Sequence, residues 1–314
     1  MGVRIVFAGT PYAAVPSLDA LHADHEVVAV LTRPDAPVGR RRVLTPSPVK
    51  RRAEELGLPV LEAARLRGEV LDELAALEAD AVAVVAFGAI AGPRALATSR
   101  LGWFNLHFSL LPEFRGAAPV QRALMAGRTR SGLTVFRIDE GMDTGPVLLQ
   151  RTLDLPAADA GDVLADYAEA GAGLLAQAFR LLAASDASLA PQEGTPSHAE
   201  KIDPAEGRLN FARTTAEVLA RARGVSPSPG AWSLMDGQRT KLAGLTEALP
   251  GDPRPAPGRI EAAPDGAVVG TGDGAVRLAR IQPFGKPMRD APDFLRGRPD
   301  AAFDVHDDPN GDPR

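Results

Sequence analysis

Apolar residues in this chain alternate between short unbroken runs and stretches where they recur every three or four positions. Residues 3–8 form an apolar run that stops at Gly9-Thr10-Pro11, which reads as a buried strand and a turn. Ala14, Val15, Leu18 and Leu21 then share one helical face. Further strands are expected at 27–31, 81–87, 102–108 and 133–138, and helices at 48–56, opened by a proline, and at 66–77. Strands alternating with helices imply an α/β domain whose mostly parallel sheet is covered on both faces. Its ligand should lie beyond the carboxyl ends of the strands. Residues 163–184 have the length and spacing of a long closing helix, although Gly171 and Gly173 oppose helix formation.

After that helix the pattern changes. Residues 185–204 are polar and contain prolines, as a linker would. Beyond them, short apolar segments at 231–234, 267–269 and 276–278 are separated by Gly, Pro and Asp clusters, with one helix expected around 215–223. This is the signature of a small β-rich domain, expected as a barrel. The expected division is 1–190 for the first domain, 191–206 for the linker and 207–305 for the second domain. Residues 306–314 are expected to form a polar disordered tail.

Composition narrows the chemistry. With 314 residues and 45% hydrophobic content the chain can bury two cores. It has no cysteine, which excludes disulfides, thiolate zinc sites and a cysteine nucleophile. The first residues read as a strand rather than a signal peptide. The longest uncharged apolar run, 81–92, is well short of the ~18 residues of a membrane span. A soluble protein of a reducing cytoplasm is the expectation. The net charge is -5, yet Arg33, Arg40, Arg41, Arg42, Lys50, Arg51 and Arg52 crowd into twenty residues against the single acid Asp35. By itself that run is either a solvated face or a phosphate-binding patch.

Of five histidines, only His107 ends a core strand, in Asn105-Leu106-His107-Phe108-Ser109-Leu110-Leu111-Pro112. Positions 105 and 107 of a strand point to one face, so Asn105 and His107 project together while Leu106 is buried opposite. The amide can bond an oxygen that becomes negative, and the imidazole can handle a proton near neutral pH. A structural amide and imidazole remain the alternative. The strand at 133–138 leads into Asp139-Glu140-Gly141-Met142-Asp143-Thr144-Gly145, where two glycines suit a tight loop that places one carboxylate. Asp143 either orients His107 and favours its protonated form, or is a surface residue of a turn.

Asn105-x-His107-x-Ser109-Leu110-Leu111-Pro112, then Arg115-Gly116-Ala117-Ala118-Pro119, then Gly141-x-Asp143-x-Gly145 resembles the signature of the folate-dependent formyltransferases. Ala8-Gly9-Thr10-Pro11 and Pro46-Ser47-Pro48-Val49-Lys50 narrow the resemblance to the methionyl-tRNA formyltransferase family. Gly270-Thr271-Gly272-Asp273-Gly274 and Ile281-Gln282-Pro283 are similar to that branch's C-terminal domain. The ordered match runs over roughly residues 3 to 298. It implies a Rossmann-like N-terminal domain, an OB-like C-terminal domain, 10-formyltetrahydrofolate as donor and no metal. The implied catalytic residues are Asn105, His107 and Asp143. The implied folate contacts are Val85, Ala86, Phe87, Gly88, Ala89 and Ile90, with Ser109, Leu110, Leu111 and Pro112.

The resemblance also implies that Arg40, Arg41 and Arg42 reach the acceptor stem of initiator methionyl-tRNA, with neither DNA nor membrane as partner. Phe108 replaces a small residue common in the family and is expected to be absorbed in packing. Glu113 replaces a common basic residue, and the run from Ser226 to Gly230 lacks a frequent tryptophan. An amino-sugar or glycinamide ribonucleotide formyltransferase would share the trio but would not need the basic loop. A non-catalytic tRNA-binding protein would not need the trio. A dinucleotide-dependent dehydrogenase is discounted, because the first strand ends without G-x-G-x-x-G.

Overall fold

A computed structural model describes residues 3–39, 42–264, 266–298 and 300–305. The chain divides into two compact units. One comprises Met1–Pro119, Arg130–Asp154 and Leu164–Ala199; the other comprises Val120–Thr129, Leu155–Val163 and Glu200–Arg314.

In chain order the elements that build the first unit begin with β1 (Arg4–Gly9), α1 (Val15–Asp24), β2 (Glu26–Thr32), the hairpin β3 (Ala36–Val38) and β4 (Val43–Thr45), and α2 (Pro48–Glu55). They continue through β5 (Val60–Glu62), α3 (Glu69–Ala76), β6 (Ala81–Val85), α4 (Pro93–Leu96) and β7 (Gly102–His107). After α5 (Pro119–Met125), which from Val120 belongs to the second unit, come β8 (Arg130–Arg137), β9 (Val147–Asp154) and the long α6 (Ala160–Ala183), which belongs to the first unit from Leu164. The sheet has seven strands in the order β5-β2-β1-β6-β7-β8-β9. Strands β5 through β7 of that order are parallel, and β8 and β9 are antiparallel. The parallel character inferred from alternating strands and helices therefore holds for most of the sheet but not for the 133–138 strand. That strand lies in β8, which runs against β7 and is followed directly by β9.

The order reverses between β1 and β6, which makes the crevice beyond Gly9 and Val85 the switch point of the sheet. Ile5, Val6, Phe7 and Ala8 are fully buried, as a strand covered on both faces requires. Burial of each of the larger side chains among them, Ile5, Val6 and Phe7, contributes roughly 1.5–3 kcal/mol. Leu106 of β7 is buried, and a Cβ on Gly171 of α6 would come within 2.7 Å of its Cδ2. The glycine that argues against a helix there is thus a site of close packing against the strand that carries His107. At the start of α2, Ser47 accepts from the Lys50 N–H at 3.0 Å as a helix cap, and its hydroxyl also pairs with Thr32.

The second unit contains α7 (Thr215–Val225), then β10 (Trp232–Met235), β11 (Gln238–Glu247), β12 (Ile260–Ala263), β13 (Gly266–Gly270), β14 (Ala275–Gln282), β15 (Arg289–Asp290) and α8 (Ala291–Leu295). Its strands form one antiparallel sheet in the order β10-β11-β14-β13-β12, with β15 paired to β14. Thr214 and Glu217 make a capping box that starts α7. The core gathers Phe211, Val218, Leu219, Val269, Val276 and Ile281, and Phe211 stacks on Phe303 with ring centres 5.0 Å apart. The expected tail, 306–314, lies outside the described residues.

Candidate active site

His107 is the last residue of β7 and is buried, with its ring edge-on to Phe136 of β8. Its Nε2 lies 2.9 Å from the carbonyl oxygen of Phe114. A carbonyl can only accept, so Nε2 carries a proton and donates. In the neutral ring the lone pair therefore sits on Nδ1. That atom faces Oδ2 of Asp143 at 3.7 Å, too far for a hydrogen bond. Burial pushes the His107 pKa below its ordinary value, while the Asp143 charge and the bond to Phe114 pull it up. The net direction is down, so the resting imidazole is neutral. The protonated form expected from a neighbouring carboxylate is thus opposed by desolvation.

Asn105, two residues back on β7, is half-buried, and its side-chain amide bonds to no described residue. It pairs in register with Val84 of β6 and Phe136 of β8. The amide is held by a rigid strand with its hydrogen-bonding capacity unspent, as an oxyanion donor requires.

Asp143 adopts φ +53°, the left-handed region that costs a residue with a Cβ on the order of 1–2 kcal/mol. Asp and Asn are the side chains that tolerate it best. Its Oδ2 accepts from the Gly116 N–H at 2.8 Å. The glycines on either side serve a different need from the one inferred from sequence. Gly141 and Gly145 are not at positive φ; instead, a Cβ on Gly141 would collide with Thr144 Oγ1, and one on Gly145 with the Arg137 carbonyl. They provide space rather than backbone freedom. Gly116 needs both, at φ +125° with a Cβ position 2.7 Å from the Ala199 carbonyl oxygen.

Several groups not singled out from sequence hold this arrangement. Thr134 Oγ1 donates to the Ser109 carbonyl at 2.7 Å and accepts from the Leu111 N–H at 3.1 Å. Gln150 donates to the Leu111 carbonyl at 2.7 Å. Ser197 Oγ accepts from the Phe114 N–H at 2.8 Å, which fixes the turn whose carbonyl meets His107. Gln192 bridges Arg115 to the carbonyls of Asp143 and Gly145. A threonine in an apolar strand was a readable signal; glutamine and serine in a polar passage were not.

Val85 ends β6 at the switch point, and Ala86, Phe87, Gly88, Ala89 and Ile90 follow it. Val85 and Phe87 are buried, Ala86 and Gly88 take positive φ and are exposed, and Ile90 is 88% exposed. The Phe87 and Gly88 carbonyls are engaged by Thr10 Oγ1 and Arg33 Nη1 at 2.9 and 2.8 Å. Ser109, Leu111 and Pro112 are buried, while Leu110 is half-buried. Ser109 Oγ donates to the Glu113 carbonyl at 2.6 Å, so these residues brace the loop after β7. Phe108 is buried, as expected for a residue opposite the 105/107 face.

The basic run is mostly spent inside the unit. Lys50 pairs with Asp35 and Glu62 at 2.8 and 3.0 Å, Arg52 with Asp19 and Glu55, and Arg51 lies over the Tyr12 ring and bonds its hydroxyl. Arg42 is exposed beside the β3–β4 hairpin at φ +50°, and Arg40 and Arg41 lie outside the described residues. Among the described residues no group of three or more His, Cys, Asp or Glu side chains could hold a metal ion, and no helix is long and apolar enough to cross a membrane.

Comparison with known proteins places this geometry in context. The family model described as formyl transferase matches residues 3–178, and that of the formyl transferase C-terminal domain matches 201–299. A methionyl-tRNA formyltransferase of Arthrobacter sp. (strain FB24) is 50% identical over 299 residues, covering 94% of this chain and 97% of that protein. One from Clavibacter michiganensis subsp. michiganensis is 49% identical over 300 residues, covering 94% and 97%. Among solved structures, the sugar 3N-formyl transferase WlaRD superposes with a TM-score of 0.66 at 18% identity, covering 91% of this chain and all of that one. HypX from Aquifex aeolicus, in complex with tetrahydrofolic acid, gives 0.65 at 17% identity, covering 94% of this chain and 47% of that one. At such identities these two structures speak for the fold.

Proposed function

The chain belongs to the methionyl-tRNA formyltransferase family, and from that premise we propose that it transfers the formyl group of 10-formyltetrahydrofolate to the α-amino group of methionine on initiator methionyl-tRNA. The observation that carries the reading is a neutral, buried His107 between the Phe114 carbonyl and Asp143, on the same strand as the unspent amide of Asn105. The transfer breaks the bond from the formyl carbon to the folate nitrogen and forms one to the methionine nitrogen. The amine gives up one proton and the departing nitrogen takes one. When bound, the folate supplies an activated formyl group.

Asn105 donates a hydrogen bond to the formyl oxygen as negative charge develops there. His107 starts with a lone pair on Nδ1 and takes up a proton released by the amine, with Asp143 offsetting the imidazolium charge. His107 then returns that proton toward the leaving nitrogen. Asp143 supplies a fixed negative charge and a fixed position, since its own bond is to Gly116.

Folate binds in the crevice beyond β1 and β6. Within residues 85–90, Ala86 and Gly88 are exposed and Ile90 offers an apolar surface, a combination suited to a flat heteroaromatic ring with polar edges. The catalytic domain extends through Ala199, and 207–305 is an OB-like domain that assists in holding tRNA. Arg40, Arg41 and Arg42 contact the acceptor stem through phosphates. The reaction belongs in the cytoplasm, with no metal and no DNA.

Incubation with charged initiator tRNA and 10-formyltetrahydrofolate tests the reading, with formylmethionyl-tRNA as the expected product. Formylation of an amino sugar nucleotide but not of charged tRNA would overturn it.

A further inference from the structure

Gln192 lies after α6 in an extended stretch that belongs to no helix or strand, and is half-buried. Its Nε2 donates to the carbonyls of Asp143 and Gly145, each at 2.8 Å. Its Oε1 accepts from Arg115 Nη2 at 2.6 Å and from Nε at 3.2 Å. A primary amide has two N–H donors and a carbonyl that accepts two bonds, so this side chain is fully used. The arrangement leaves little freedom in residue type. A carboxylate would set acceptors against two carbonyls, and a lysine or arginine would set donors against a guanidinium.

What the amide joins is the two halves of the site. Arg115 belongs to the turn whose Phe114 carbonyl meets His107 and whose Gly116 N–H holds Asp143. The surrounding segment grips the same turn: Ser197 accepts from Phe114 and Arg115, and Ala199 donates to the Arg115 carbonyl. Ala190 exchanges two main-chain bonds with Val147, where β9 begins after the Asp143 loop. Residues 190–199 thus run from one side of the His107–Asp143 pair to the other.

We propose that Gln192 is a positioning residue for catalysis, a clamp that holds the left-handed Asp143 against the Arg115–Gly116 turn and so keeps its carboxylate opposite His107. This rests on the formyl-transfer reading. Asp143 is the charge that acts on the His107 ring, raising its proton affinity against the effect of burial. Release of the clamp therefore has a signature beyond lost rate: the carboxylate drifts and the imidazole becomes harder to protonate.

The test compares Gln192→Met, which keeps the volume and loses every bond, with Gln192→Glu, which keeps only the acceptors for Arg115. Both should fold, with kcat lowered by about 10-fold to 10²-fold, the scale of an ångström-sized misplacement, and KM for both substrates near that of the parent. The His107 titration, followed by NMR in the free protein, should move to lower pH, as in Asp143→Asn. In the Asp143→Asn background, Gln192→Met should cost little more, because the group it positions is already gone. Parental kcat together with an unmoved His107 titration in either variant would overturn the clamp, as would full additivity with Asp143→Asn. Should Gln192→Met not fold, Gln192→Glu carries the same measurements. Failure of the clamp stays separable from failure of the function, because the titration is read without substrates and formylation by the parent is measured independently.

Discussion

His107 Nδ1 faces Asp143 Oδ2 across 3.7 Å, and the carboxylate is held there by the Gly116 N–H at 2.8 Å rather than by the imidazole. The two side chains are coupled by charge through space, each anchored by its own backbone partner. This leaves the imidazole neutral and ready to accept a proton, with a stabilising charge already in position.

Asn105→Ala and His107→Ala should each lower kcat by roughly 10²-fold or more, as loss of a transition-state donor does, while tRNA affinity stays near normal. Steady-state kinetics with charged tRNA and direct tRNA binding measure the two quantities. Near-parental turnover in either variant would remove that residue from the mechanism.

For Asp143 the informative substitution is Asn. Alanine at φ +53° would add backbone strain to loss of charge, whereas Asn tolerates the conformation. Asp143→Asn should leave stability close to parental and cut kcat. Equal turnover would show that the charge is not needed.

The direction of the His107 pKa sets a pH dependence of stability. Its folded value lies below the ordinary 6.5 of the unfolded chain, so the unfolded state binds the proton more readily. The stabilisation is complete above about pH 6.5 and is lost as pH falls through the folded value. Denaturant midpoints between pH 7.5 and 5 should therefore fall more steeply for the parent than for His107→Gln. Parallel curves would mean that burial does not depress the histidine.

Gly116→Ala should be more damaging than an ordinary surface change. The added methyl meets the Ala199 carbonyl at 2.7 Å, and φ +125° is unfavourable for alanine. The Gly116 N–H that holds Asp143 must then move, so activity should fall well before the fold is lost in urea. An active variant with parental kcat would contradict the role given to this turn.

Within the basic run the cations should separate into two kinds. Replacing Arg40 or Arg42 by Ala should flatten the log–log salt dependence of tRNA binding by roughly 0.7 to 0.9 per lost phosphate contact. Lys50→Ala should leave that slope unchanged, because Lys50 is engaged by Asp35 and Glu62. If the slope responds to Lys50 and not to the arginines, tRNA is held elsewhere on the chain.

Much of the architecture is visible in the order of residues. The runs ending at Gly9 and Val85 are apolar on both faces because strands covered on both faces carry no polar alternation, and both became core strands. In the second unit, β13 was marked by the apolar triplet 267–269 and β14 by Val276 and Leu278 flanking Arg277, whereas β11 was not marked. Strand β11 is a partly solvated antiparallel strand in which the buried Thr240 and Leu242 flank the exposed Lys241, and polar residues dilute the signal. The antiparallel sense of β8 was also hidden, since direction depends on which strand it meets.

By itself the sequence determined the strand–helix frame, the pairing of Asn105 and His107 on one face, and the presence of a tight loop at Asp143, because these follow from backbone periodicity and local sterics. Only the tertiary structure decided what those groups are chemically. Burial makes His107 neutral, the Phe114 carbonyl selects its Nε2–H form, and Gly116 rather than His107 holds the Asp143 carboxylate. The seven clustered cations of 33–52 likewise became different in kind once Arg33, Lys50, Arg51 and Arg52 found partners elsewhere in the unit. Proton affinity and hydrogen-bond satisfaction depend on the desolvation and partners a group meets, and here those partners come from positions up to 83 residues away, as with Phe114 and Ser197.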